Sequence, residues 1–206
     1  MARTATTAKI AENIGHDTRQ HIVETAMGLF LANGFGDTTM DEIARTARIS
    51  KHTLYGHFRD KADLFEAVVV QDMERFQNLP DLTLDKRKPD EVLFEAARWI
   101  YDHHVSTASM AMHRVLIGAA TDFGELITRH YAFRFQASVS WIVAYIASLT
   151  GDGALNIPNP KRAAVRFVLM ASEGSRTVMG YKPAGLKDRE RFARLTVALF
   201  MHGQAG

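Results

Sequence analysis

The chain has 206 residues, 47% of them hydrophobic and 23% charged, with a formal net charge of +2; this suits a substantial core in one or two domains and excludes disorder for most of its length. It has no cysteine, which excludes a disulfide framework, a thiolate nucleophile and cysteine-ligated zinc. The segment up to His16 is rich in Ala and Thr without the apolar core of a secretion signal, and apolar runs such as Trp141 to Leu149 are too short to span a bilayer, so a cytoplasmic protein with no membrane contact is expected.

In chain order, residues 1–16 are expected to form a flexible arm carrying Arg3 and Lys9. A first helix is predicted from about Thr18 to Asn33, because Ile22, Val23, Ala26, Leu29 and Phe30 recur at helical spacing and Gly34 supplies a stop. Thr39 is placed to N-cap a second, short helix ending near Arg48. Glu42, three residues on, completes a Thr-x-x-Glu capping box, and Ile43, Ala44 and Ala47 form an apolar face. Ser50 caps a third helix from Lys51 to about Phe58. Leu54 and Phe58, four apart, face inward and leave Lys51, His52, Thr53, Tyr55 and His57 largely outside, hydrogen-bonding types suited to phosphates and base edges. Asp60 is expected to cap a helix from Lys61 to about Asn78, with Leu64, Phe65, Val68, Val69 and Met73 along it.

Leu79 to Lys88 is polar, contains Pro80, and reads as a loop, after which Pro89 suits the first turn of a helix. Helices are predicted over about 89–105, 109–122, 125–149 and 160–179, the last capped by Asn159, and a final one follows the breaker run from Gly180 to Gly185 and covers 186–202. No alternating run is convincing as a strand, so the fold class is all-α with about nine helices. No internal repeat is evident, which argues against a solenoid.

Bulk charge does not mark the N-terminal part as a nucleic-acid binder, since residues 1–66 carry 8 Lys/Arg against 9 Asp/Glu. The distribution is more informative. Arg45, Arg48, Lys51, Arg59 and Lys61 stand against the single acid Asp60, a local +4 centred on the third helix, where an electrostatic footprint on DNA is needed.

Two short capped helices about a tight turn form a helix-turn-helix, and the surrounding residues make the pattern more specific. Ile22, Ala26, Phe30, Gly34-Phe35, Thr38-Thr39, Ile43-Ala44, Ser50, Thr53-Leu54-Tyr55, His57-Phe58, Lys61 and Leu64 together resemble the DNA-binding domain of the TetR family of transcriptional regulators. A weaker likeness to the AefR-like subgroup lies in Arg114-Val115-Leu116-Ile117, Phe123-Gly124-Glu125-Leu126, Ala163-Ala164 and Phe167. The resemblance implies a three-helix DNA-binding domain over 17–64 followed by a helical ligand-binding and dimerisation domain over 65–206. It also implies a homodimer on double-stranded DNA at a palindromic operator, released by an unidentified small-molecule effector. By position, Lys51, Thr53, Tyr55, His57 and Lys61 match family DNA contacts, Thr38 and Thr39 match a helix start that grips phosphate, and His52 points toward the groove. Two positions depart from the pattern. Arg48 stands where the family usually has a glycine in a left-handed conformation, and Gly56 stands where it often has an aromatic or polar contact residue.

The last two helices combine small residues (Ala163, Ala164, Ala171, Gly174, Ser175) with apolar ones (Phe167, Val178, Phe192, Leu195, Leu199), a composition suited to close packing across a two-fold axis and taken with the resemblance as the dimer interface. An effector pocket is expected from Trp99, His103, Met110, His113, Arg134, Phe135, Trp141, Tyr145 and Met170, which mix aromatic, soft and a few polar groups. No cofactor or metal is expected, because the nine histidines show no metal spacing, Gly151-Asp152-Gly153 is too short for a phosphate loop, and Ser172 and Ser175 lack a nucleophile frame. The alternative to an effector-released regulator is a protein of this fold acting through protein partners with weak DNA binding; a helical enzyme ranks last.

Overall fold

The structure is a computed structural model that describes residues 2–75, 79, 81–85, 87–151, 157–172 and 185–203. Among the described residues there are nine α-helices, one short 3-10 turn and no strand: α1 (Ala2–Asp37), α2 (Met40–Thr46), α3 (Lys51–His57), α4 (Lys61–Arg75), the 3-10 turn Leu82–Leu84, α5 (Pro89–Val105), α6 (Thr107–Gly118), α7 (Ala120–Gly151), α8 (Pro160–Ala171) and α9 (Leu186–His202). The predicted limits of α5 and α9 agree with the observed ones. Two compact units result, one of Met1–Glu74 with Arg114–Ile127, the other of Arg75–His113 with Thr128–Gly206.

In the first unit, helical backbone begins at Ala2, ahead of the start expected at Thr18. Ala2, Ala5, Ala8, Ala11 and Glu12 are strong helix formers, and no Pro or Gly intervenes before Gly15. Ile22, Val23, Ala26, Met27 and Phe30 form the buried stripe of α1. Its regular course stops at Gly34, whose φ of 86° is left-handed backbone that a Cβ disfavours. The following loop is closed by Thr38, fully buried, whose hydroxyl donates to Gly34 O at 2.8 Å.

Leu64, Phe65, Val68 and Val69 of α4 are buried, which is why this unit runs past the boundary expected at residue 64. Four phenylalanines meet here. The Phe65 ring lies 5.5 Å from Phe30, 4.7 Å from Phe35 and 4.9 Å from Phe123. Phe123 stands at a non-helical position (φ −126°, ψ 29°) near the start of α7, where the sequence predicted a break between two helices. Edge-to-face and tilted ring pairs of this kind add about 0.5–1.5 kcal/mol each beyond area burial.

The second unit is a helical layer around one apolar core. Val92, Leu93, Ala96, Ala97 and Ile100 of α5, Val139, Ile142 and Ile146 of α7, Ala163, Ala164, Phe167 and Val168 of α8, and Ala193, Val197 and Phe200 of α9 bury together. Spacings of three and four within each helix put these residues on one stripe. Pro89 at the first position of α5 and Pro160 at that of α8 occupy sites where no N–H is needed, and Asn159 caps α8 by accepting from Arg162 N at 2.9 Å. An ion pair between Arg189 of α9 and Asp102 of α5, 3.0 Å apart, adds to the α5–α9 packing.

Three residues expected at a dimer interface are placed otherwise. Ala164, Phe167 and Ala171 are fully buried inside their own unit, because the small and apolar stripe of α8 faces α5 and α9 of the same chain. Leu195 and Leu199 of α9 are 56% and 57% exposed and do present an uncovered apolar stripe. Phe192 is half-buried, its ring 5.3 Å from Tyr101, while Gly174, Ser175 and Val178 lie outside the described residues.

Candidate DNA-binding surface

The turn between α2 and α3 is built from the caps inward. Thr39 takes extended backbone and its hydroxyl accepts from Glu42 N at 3.2 Å, while the Glu42 carboxylate accepts from Asn33 Nδ2 of α1 at 3.3 Å. At the other end, Ile49 N donates to Ala44 O (3.1 Å) and Arg48 N to Arg45 O (3.2 Å). This Schellman pattern requires a left-handed residue at Arg48, and its φ is 56°. The departure from glycine noted in the sequence is therefore a real strain, on the order of 1 kcal/mol. His21 Nε2 donates to Ala47 O at 3.1 Å and ties this turn to α1, a bond between residues 26 apart that no sequence signal marks.

Ser50 then caps α3, accepting from Thr53 N at 3.0 Å and bonding the Thr53 hydroxyl at 2.8 Å. Leu54 and Phe58 anchor α3 from below, both buried as predicted. The outward face carries Lys51, His52 and Tyr55, with Tyr55 51% exposed; Thr53 and His57 are half-buried. Lys51 pairs with Asp41 at 2.6 Å, but both side chains are mostly exposed, and such surface pairs contribute at most about 1 kcal/mol, so a phosphate can displace the carboxylate cheaply. Arg45 and Arg48 are also exposed beside the turn, two cations counted in the local charge of the sequence but not singled out as contacts. A Cβ at Gly56 would meet nothing within 4 Å, so neither packing nor backbone requires glycine there.

Two expected DNA contacts are engaged within the chain instead. The Thr38 hydroxyl is sequestered in the α1–α2 loop, as described above. The Lys61 ammonium donates to Phe35 O (2.7 Å), Gly36 O (3.0 Å) and Thr38 O (2.9 Å) and lies 4.4 Å from the centre of the Phe35 ring. An ammonium has three donors, and these carbonyls take all three, so Lys61 fastens the loop after α1 instead of offering hydrogen bonds to phosphate. Asp60 caps α4 as predicted, accepting from Asp63 N at 2.8 Å. Asp63 accepts in turn from Arg59 N at 3.0 Å, and the backbone and guanidinium bonds from Arg59 hold its carboxyl below the usual range.

The expected effector residues divide between places in the second unit. His113, Arg134 and Phe135 line one cavity of about 260 Å³ together with His104, Tyr131, Ser138, Val168, Leu169 and Ser172. Trp99 and Trp141, 5.2 Å apart, line another of about 370 Å³, with His103 stacked on Trp99. Polar groups in the larger cavity satisfy one another, as Arg87 pairs with Asp85 at 2.7 Å and Arg98 with Glu95 at 2.6 Å. Met110 and Tyr145 are buried, and Met170 packs half-buried against the core. Sequence reasoning missed His104 and Tyr131; the expectation of His113 on one helix and Arg134 on the next was the available signal, since both missed residues lie within four positions of residues already singled out. Among the described residues no cluster of three or more His, Asp or Glu side chains is placed to hold a metal, and no helix is long and apolar enough to cross a membrane.

The family model for "Bacterial regulatory proteins, tetR family" matches residues 22–68, and that for "AefR-like transcriptional repressor, C-terminal domain" matches residues 91–203. The transcriptional regulator AcrR of Shigella flexneri is 38% identical over 61 residues, a stretch covering 30% of this chain and only 28% of that regulator's length. Among solved structures, a TetR-family transcriptional regulator from Mesorhizobium loti superposes with a TM-score of 0.83 at 22% identity, covering 92% of this chain and 97% of that one. The flavonoid-responsive regulator FrrA superposes with a TM-score of 0.74 at 24% identity, covering 91% and 97%. With the second family model matching more than half of its length, the chain belongs to the TetR family of bacterial transcriptional regulators.

Proposed function

We propose that this protein is a cytoplasmic repressor that binds a palindromic operator as a homodimer and leaves it when a small effector occupies the second unit. The observation that carries the DNA-binding part is the outward face of α3, where Lys51, His52 and Tyr55 stand exposed between Arg45, Arg48 and Arg59 on a helix whose cap and buried Leu54 hold it rigidly. Base-edge readers need such a fixed helix, and flanking cations supply sequence-independent phosphate attraction. Support for the homodimer is the exposed stripe of Leu195 and Leu199 on α9 with Leu169 of α8, three large apolar side chains uncovered in a single chain. Support for effector release is the smaller cavity, lined by six polar and three apolar side chains, and the likeness to the flavonoid-responsive regulator FrrA, a protein of the same fold.

The test is a gel shift with the DNA upstream of the protein's own gene. A discrete shift that resists competitor DNA is the expected result, and no shift even at low salt would overturn the reading in favour of a protein that acts through protein partners.

A further inference from the structure

The cavity of about 260 Å³ contains a histidine whose protonation is dictated by its neighbours. His104 Nδ1 lies 2.7 Å from Ile100 O, a carbonyl that can only accept, so Nδ1 carries the proton and Nε2 is the ring's acceptor. Burial lowers the His104 pKa; the Ile100 bond offsets part of that, and the Arg134 charge lowers it again. The ring is neutral near pH 7 and Nε2 keeps its lone pair.

The rest of the lining favours the same chemistry. The Ser138 hydroxyl donates to Arg134 O at 3.1 Å and that of Ser172 to Val168 O at 2.6 Å, which turns their protons away and leaves oxygen lone pairs. Partial burial raises the Tyr131 pKa above its ordinary value, so the phenol is protonated at neutral pH, with its oxygen 2.9 Å from His113 Nδ1. The charge of Arg134 is felt at both His104 and Tyr131, so the field inside opposes a cation. Buried Val168 and the partly exposed Phe135 and Leu169 supply the apolar part of the lining. At about 260 Å³ the space is just below the common range of about 300–1,000 Å³ for ligand pockets, which limits an occupant to one or two rings.

We propose that this cavity binds a small, non-cationic apolar molecule bearing a hydroxyl, an alcohol or a phenol, whose O–H donates to His104 Nε2. This rests on reading the second unit as the effector-binding part, and it specifies what that effector must carry. A hydroxyl suits the site because it donates to the imidazole while its oxygen still accepts from a guanidinium.

The experiment titrates the full-length protein calorimetrically with three probes of one skeleton: 2-naphthol, decahydro-2-naphthol and 2-methoxynaphthalene. Saturable binding of at least one hydroxyl compound is expected, with the methyl ether weaker by about tenfold or more because it has no proton to donate. Tighter binding of 2-naphthol assigns a phenol, and tighter binding of the saturated compound assigns an alcohol. His104→Phe should abolish the preference of 2-naphthol over its ether; should that variant fail to fold, the wild-type probe pair still decides. Equal binding of ether and hydroxyl compounds, or no binding of any, overturns the inference. The same probes added to the gel shift separate the two readings. Hydroxyl-selective binding that leaves DNA bound overturns the effector role and keeps the site, whereas release by other compounds with no naphthol binding does the reverse.

Discussion

At the scale of single residues, two lysines that look alike in the sequence do different work. Lys51 is exposed and held only by a surface pair, whereas Lys61 fastens three carbonyls after α1. Lys51→Ala should therefore weaken DNA binding on every sequence and reduce the slope of log K against log salt by about one unit, leaving the denaturation midpoint almost unchanged. Lys61→Ala should instead lower stability by about 2 kcal/mol, read from chemical denaturation, because charge-assisted bonds to backbone carbonyls are lost. An unchanged midpoint for Lys61→Ala would contradict the loop-fastening role. Asp63 has a pH signature. Its folded pKa is depressed by the Arg59 bonds, so its stabilisation is present above the ordinary carboxylate value near pH 4 and is lost as pH falls through the lower folded value. Wild type should exceed Asp63→Ala in stability at neutral pH, and urea titrations repeated at lower pH should show the gap shrinking below about pH 4.

At the scale of elements, the short helices α2 and α3 depend on their ends, since seven residues each cannot hold a helix in isolation. Thr39 and Ser50 cap their N-termini, and the turn between the helices is closed by the bonds around Arg48. Arg48→Gly relieves the left-handed strain and should raise stability by about 1 kcal/mol. Thermal melts check this, and a lower melting temperature would mean that the arginine side chain holds the turn by some other contact. Both caps were legible in the sequence, because capping involves only neighbours along the chain, whereas the left-handed turn at Arg48 was expected only from the resemblance to a family that usually has glycine there. The bond from His21 to Ala47 O and the meeting of Phe35, Phe65 and Phe123 were not, because they join residues far apart in the chain.

For the whole molecule, the question is which apolar faces the chain covers by itself. Phe167 is fully buried within one chain, while Leu199 is uncovered although it lies on a helix packed against the same core. Leu199→Asp should yield a folded monomer in sedimentation and lose tight operator binding. Phe167→Ala should cost about 3–5 kcal/mol of fold stability whatever the association state. A Leu199→Asp protein that remains dimeric at micromolar concentration would place the interface elsewhere. The two recognition helices of a two-fold dimer must reach successive major grooves about 34–36 Å apart or a multiple of that, which is why loss of the dimer should be so costly to operator binding.

The sequence by itself determined the all-α class, the limits of α5 and α9, the caps and the outward placement of Lys51, His52 and Tyr55 on α3. Each of these follows from short-range periodicity and from backbone groups satisfied by nearby residues. Only the tertiary structure decided that Thr38 and Lys61 close a loop, that Ala164, Phe167 and Ala171 serve their own core, and that His104 and Tyr131 share a cavity with His113 and Arg134. A helix pattern tells which side of a residue is apolar, not which neighbour covers it, and a polar side chain's role is set by the acceptors that packing brings within about 3 Å.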